Sequence, residues 1–124
     1  MAFPCLGSML RSTHTRFFFS WIPLLDTHQH LVYHEKISYG WTKDIPPLAK
    51  DNFTLKDYKS LTDGLGIGGS LFMETGVDDP DYQEETRFTH SLAEDSDSGL
   101  IGLIVSIRPE NDDEFAAWLD ETIK

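Results

Sequence analysis

The chain has 124 residues, 40% of them apolar and 25% charged, the composition of one globular domain with a modest core. A net charge of −11 makes nucleic acid and anionic membrane surfaces poor partners, because both are held by clustered Lys and Arg. The single cysteine, Cys5, rules out an internal disulfide and a Cys-rich zinc module, and is compatible with a reducing, cytoplasmic compartment. No apolar run reaches the roughly 18 residues of a membrane span.

Residues 1 to 25 differ from the rest. They contain Arg11 and Arg16 and no acidic residue, so they carry +2 against −13 elsewhere. Residues 1–16 are expected to form a disordered leader, and 17–124 the domain. A basic start followed by Phe-Phe-Phe-Ser-Trp-Ile is also compatible with an organellar presequence over residues 1–20. Secretion is disfavoured, since no small-x-small cleavage site follows the apolar run.

The run from Phe17 to Leu25 leads directly into Asp26-Thr27-His28-Gln29-His30. On a β-strand, side chains two apart point the same way, so Asp26, His28 and His30 are expected on one face at the strand's end. Two imidazoles one strand repeat apart suit a pair of nitrogen ligands on one divalent metal ion.

Residues 30 to 53 show neither a period of two nor one of 3.6 and read as a long loop. Its Tyr39 and Trp41 either line a substrate pocket or form an apolar plug that packs the loop down. His34 falls outside the alternating motif and reads as a surface histidine.

Thr54-x-x-Asp57 resembles a capping box, with Leu55, Tyr58, Leu61 and Leu65 as the apolar stripe and Gly64 and Gly66 as the stop. Gly69 to Gly76 reads as a short strand, apolar on both faces, that ends in the carboxylate Glu74. Asp79-Pro80 opens a second helix with a solvated acidic face. Leu100 to Ile107 reads as the strongest strand, central and buried, and ends at Arg108-Pro109. A third helix follows, capped near Asn111 or Asp112, with Phe115, Trp118, Leu119 and Ile123 on one face.

This alternation predicts a parallel α/β architecture, either an open doubly wound sheet or an eight-stranded barrel. Both place their chemistry at the C-terminal strand ends. Gly64-Leu65-Gly66-Ile67-Gly68-Gly69 precedes a strand instead of opening a helix, which argues against a nucleotide loop.

Asp-Thr-His-Gln-His-Leu at the first strand, followed by Tyr-Gly-Trp, Pro-Pro-Leu, Met-Glu-Thr-Gly-Val and Leu-Ile-Gly-Leu-Ile-Val, resembles the amidohydrolase-related (amidohydrolase 2) family. More narrowly, it is similar to the branch of metal-dependent TIM-barrel hydrolases that includes sugar and dicarboxylate lactonases. The resemblance covers roughly residues 22 to 124. It implies a (β/α)₈ barrel in which first-strand histidines hold a divalent metal, often zinc, for attack of water on a lactone, ester or amide carbonyl. Some lactonases of the branch work without a metal.

A complete barrel needs about 250 residues, so the chain is expected to supply the N-terminal part, about three of eight β/α units. By the same resemblance His28 and His30 are metal ligands, or substrate-binding histidines in a metal-free lactonase. Glu74 is a third ligand or substrate contact unless strand parity presents Thr75 instead, and Asp26 is a supporting hydrogen-bond partner or a plain cap. Arg108 either binds a substrate carboxylate bidentately or is a surface arginine. Ser106 has no visible base partner, and His14 and His90 read as surface residues. Two functions from different classes remain: a hydrolase on a small lactone or related carbonyl substrate, and a non-catalytic fragment that self-associates or pairs with another chain through open strand edges.

Overall fold

The computed structural model describes residues 23–123. The leader, the presequence reading, His14 and the start of the Phe17–Leu25 run lie outside the described residues. Three strands, β1 (Leu24–Gln29), β2 (Ile67–Met73) and β3 (Leu100–Ile104), alternate with three helices, α1 (Leu55–Thr62), α2 (Tyr82–Ala93) and α3 (Asp112–Thr122). The strands form one sheet in the order β1-β2-β3, with both pairs parallel. The chain is therefore an α/β unit with a small, open parallel sheet. Among the described residues no helix is long and apolar enough to cross a membrane.

Local chemistry accounts for both ends of α1, whereas Asn111 precedes α3 without a capping side-chain hydrogen bond. The Thr54 hydroxyl accepts from Asp57 N–H at 3.3 Å, and the Asp57 carboxylate accepts from Thr54 N–H at 2.8 Å, which completes the expected capping box. The Thr54 hydroxyl also donates to the Asp57 carboxylate at 2.6 Å, and this bond first, then the one from Thr54 N–H, holds the Asp57 carboxyl below its ordinary value. Gly64 and Gly66 take positive φ values of 75° and 77°, open to glycine without strain, and turn α1 into β2. Asp79-Pro80 starts a short 3₁₀ turn, Asp79–Asp81, and α2 proper begins only at Tyr82. Asp79 therefore does not cap α2.

The core lies on the helix side of the sheet. Leu31, Phe72 and Leu100 pack against Leu55 and Tyr58 of α1 and Leu92 and Ala93 of α2. A second cluster joins Val32, Ile37, Tyr39, Val77, Tyr82 and Trp118, and ties the long loop to α2 and α3. That loop is anchored further by an antiparallel bridge between Val32 and Phe53 and by a 3₁₀ turn over Gly40–Asp44.

Several expectations need correction. The third strand is not central: β2 holds that place, and β3 lies at the edge of the sheet. It stops at Ile104, and Ile101 and Ile104 are 62% and 43% exposed. A strand apolar on both faces is buried only where something covers both, and here the helices cover one. Leu61 and Leu65 are exposed, so the apolar stripe of α1 reduces to Leu55 and Tyr58. In α3, Trp118 is buried and Ile123, just past the helix, is exposed. His34 is no free surface residue: its Nε2–H donates to Leu48 O at 2.7 Å and its backbone N–H to Asn52 Oδ1 at 2.9 Å.

Candidate metal centre at the strand ends

Register decides which side chains share a face. Asp26 pairs with Ser70 and Gln29 with Phe72, so three residues of β1 span two of β2. Ser70 and Phe72 both face the helices and are buried. The irregularity in β1 therefore places Asp26 with Gln29 on the helix side, and leaves His28 and His30 on the opposite, exposed side. The expectation that all three residues of Asp-x-His-x-His share a face fails at Asp26.

Asp26 nevertheless supports the motif. Its Oδ2 accepts from the Tyr58 hydroxyl at 2.8 Å and its Oδ1 from the backbone N–H of His28 at 3.1 Å. Burial, and next the hydrogen bond to Asp26, push the Tyr58 phenol up to about 12, so it stays a neutral donor. The carboxylate thus links α1 to the His28 peptide, not to its imidazole.

The two imidazoles meet edge to face, with Nε2 to Nε2 at 3.0 Å. His30 Nδ1 lies 3.0 Å from the carbonyl oxygen of Met73. A carbonyl only accepts, so Nδ1 carries the proton and the Nε2 lone pair is free. His28 Nε2–H then donates to that lone pair. Moving its proton to Nδ1 would leave two nitrogen lone pairs facing each other across that 3.0 Å gap. A tetrahedral zinc with Zn–N bonds of about 2.0–2.1 Å separates its nitrogen ligands by about 3.3 Å, so the pair fits after opening by a few tenths of an ångström. The backbone carbonyl behind His30 is the kind of outer partner that fixes a ligating imidazole.

Glu74 does not join them. Its Oε2 accepts from Gly76 N–H at 2.8 Å. Among the described residues no group of three or more His, Cys, Asp or Glu side chains is placed to hold a metal ion. The pair would supply two ligands, fewer than the three or four protein ligands usual for zinc.

The loop residues divide. Tyr39 is 5% exposed in the second core cluster, where its hydroxyl accepts from Tyr33 N–H at 3.1 Å, and burial raises its phenol to about 12. It packs the loop down. Trp41 is 42% exposed and donates its indole N–H to Thr75 O at 3.0 Å, so its ring stands beside the end of β2. Arg108 adopts a left-handed φ of 46°, pairs with exposed Asp79 at 3.2 Å and lies 5.6 Å over the Tyr82 ring.

Two buried polar residues give no signal in a reading by hydropathy. Glu85, 2% exposed, is the interior face of what reads as a solvated acidic helix. Its Oε1 accepts from Thr75 N–H at 3.0 Å, and burial raises its carboxyl to about 7, with the Glu74 charge adding and Arg108 opposing. The signal for it was positional: Tyr82, Glu85, Thr86 and Thr89 recur at i, i+3, i+4, i+7, and all four are buried. Gln29 is buried beside Phe72, with neither amide atom hydrogen-bonded among the described residues.

Comparison of the chain with protein-family models, curated proteins and solved structures gives no match.

Proposed function

We propose that the chain provides the first three β/α units of an amidohydrolase-related hydrolase built on a (β/α)₈ barrel, acting on a lactone, ester or amide carbonyl. The observation that carries this reading is the His28–His30 pair: Nε2 atoms 3.0 Å apart on the exposed face, with the His30 tautomer set by Met73 O. Three parallel strands in chain order, each followed by a helix, are the pattern such a barrel begins with.

In this reading His28 and His30 hold a divalent ion, with zinc favoured by two imidazole donors. Such an ion supplies Lewis acidity toward the substrate carbonyl and activates water. Met73 O keeps the His30 Nε2 lone pair directed outward, and Asp26 fixes the His28 peptide from the helix side. Trp41 presents an exposed ring to the apolar part of a substrate. A substrate carboxylate would compete with exposed Asp79 for Arg108. Further ligands come from strands beyond the three described, so turnover requires them.

Metal content after dialysis against zinc tests the reading. The expected result is zinc bound in proportion to protein and lost in the His28→Ala, His30→Ala double variant. Binding that survives the double variant sinks it. A wild-type chain that retains no zinc would instead favour substrate-binding histidines, as in a metal-free lactonase.

A second reading rests on a separate observation. Leu25, Ile101 and Ile104 leave an exposed apolar sheet face, and among the described residues β1 and β3 each have an unpaired edge. A chain of this kind pairs with another chain, or with itself, through those surfaces.

A further inference from the structure

Thr75 makes three hydrogen bonds to three separate parts of the chain. Its N–H donates to Glu85 Oε1 on α2 at 3.0 Å, its hydroxyl donates to Leu31 O just beyond β1 at 3.1 Å, and its carbonyl accepts from the Trp41 indole at 3.0 Å. Thr75 is buried, and its neighbours Glu74 and Gly76 are joined by a further hydrogen bond. Of these contacts, the one to Glu85 places a carboxyl group in the interior, which is unfavourable unless the group has a specific partner. Glu85 sits one turn into α2 from Tyr82, on the stripe that faces the sheet. Charged groups near it are Glu74 from the β2 end and Arg108 from the β3 end.

We propose that Glu85 is a positioning residue: by holding the Thr75 peptide it fixes the end of β2, whose Met73 carbonyl orients His30, and where the Trp41 ring docks. It touches neither substrate nor metal in this arrangement and acts through Thr75. The part of the inference that concerns metal affinity rests on the metal reading above; the part that concerns Trp41 does not.

Trp41 and Trp118 provide an internal comparison. Both indoles donate to a backbone carbonyl, Trp41 to Thr75 O and Trp118 to Ser106 O at 3.1 Å, but Trp118 belongs to α3. Hydrogen exchange of the two indole N–H groups, followed by NMR on the full chain at mildly acidic pH, separates positioning from general loosening. In Glu85→Leu, which keeps side-chain volume but removes the acceptor, exchange at Trp41 is expected to accelerate by about tenfold with Trp118 unchanged. In Glu85→Gln, which keeps an oxygen for Thr75 N–H, both sites should exchange as in the wild type. Equal acceleration at both indoles, no acceleration at Trp41, or failure of Gln to restore protection overturns the proposal. Should Glu85→Leu not fold, Glu85→Asp, one methylene short of Thr75, is read in the same way.

Zinc titration of the same variants forms the second arm. Affinity about tenfold weaker in Glu85→Leu and unchanged in Glu85→Gln is expected for a group that orients a site from behind. A wild-type chain that binds no zinc through His28 and His30 defeats the metal reading, while the indole comparison still decides the role of Glu85.

Discussion

Burial lifts the Glu85 carboxyl from 4.5 to about 7, so the folded protein binds a proton there that the unfolded chain has released. A raised acid contributes its full stability below the unfolded value and loses it as pH climbs through the folded one. Between pH 4.5 and about 7 the wild type should therefore become less stable, by up to about 3 kcal/mol from this group alone. Glu85→Gln removes the ionisation, and the stability difference between variant and wild type should widen over that interval, as measured by urea unfolding across pH. A difference that stays constant would mean the carboxyl ionises normally. Gln29 poses a simpler case, since its amide is buried without a hydrogen-bond partner among the described residues. Gln29→Leu removes a desolvated polar group of similar size and is expected to raise stability by about 1 kcal/mol. Neither residue stands out by type alone, since Gln and Glu occur mostly on surfaces. The His28–His30 pair was legible because alternation survives across those three residues; Asp26 was not, because an irregular register precedes them.

Each element was foreseen where local chemistry determines it. The Thr54–Asp57 capping box needs only four consecutive residues, and both of its hydrogen bonds form. Thr54→Ala should accordingly destabilise the protein by about 1 kcal/mol, seen as a lower melting temperature with unchanged far-ultraviolet dichroism below the transition. No change would mean that α1 is held by tertiary contacts from Leu55 and Tyr58 alone. The order of strands and helices was also readable, because each apolar run is separated from the next by glycine, proline or acidic turns. What failed were statements about what lies across from an element. Leu61 and Leu65 fit a helical stripe, yet the stripe meets the sheet only at Leu55 and Tyr58. The apolar pattern of β3 promised cover on both sides, and the second cover is not supplied by the described residues. Periodicity reports a residue's chemistry and direction, not its neighbour.

At the scale of the molecule the sheet is asymmetric. Its helix side holds Ser70, Phe72 and Leu100, all buried, while the other side carries Leu25, Leu71, Met73, Ile101 and Ile104. Leu25 is half exposed and Ile101 more so, a poor state for a parallel sheet, which normally has both faces covered. In a closed barrel this side would face the interior; no helix among the described residues covers it. Association through it is opposed by the repulsion of two chains of net charge −11, which salt screens. Sedimentation velocity should therefore show oligomers whose weight rises with protein concentration and with ionic strength. Fully burying an isoleucine contributes roughly 1.5–3 kcal/mol, and a symmetric dimer would bury Ile101 and Ile104 from both copies. Replacing both with lysine should weaken association by well over a hundredfold, leaving a monomer at micromolar concentration. The same substitutions leave Phe72 and Leu100 in place, so the folded dichroism spectrum should persist. A wild type that sediments as a monomer at every concentration and salt level would show that this face needs no second chain. Oligomers that survive both lysines would place the contact at the unpaired edges of β1 or β3 instead.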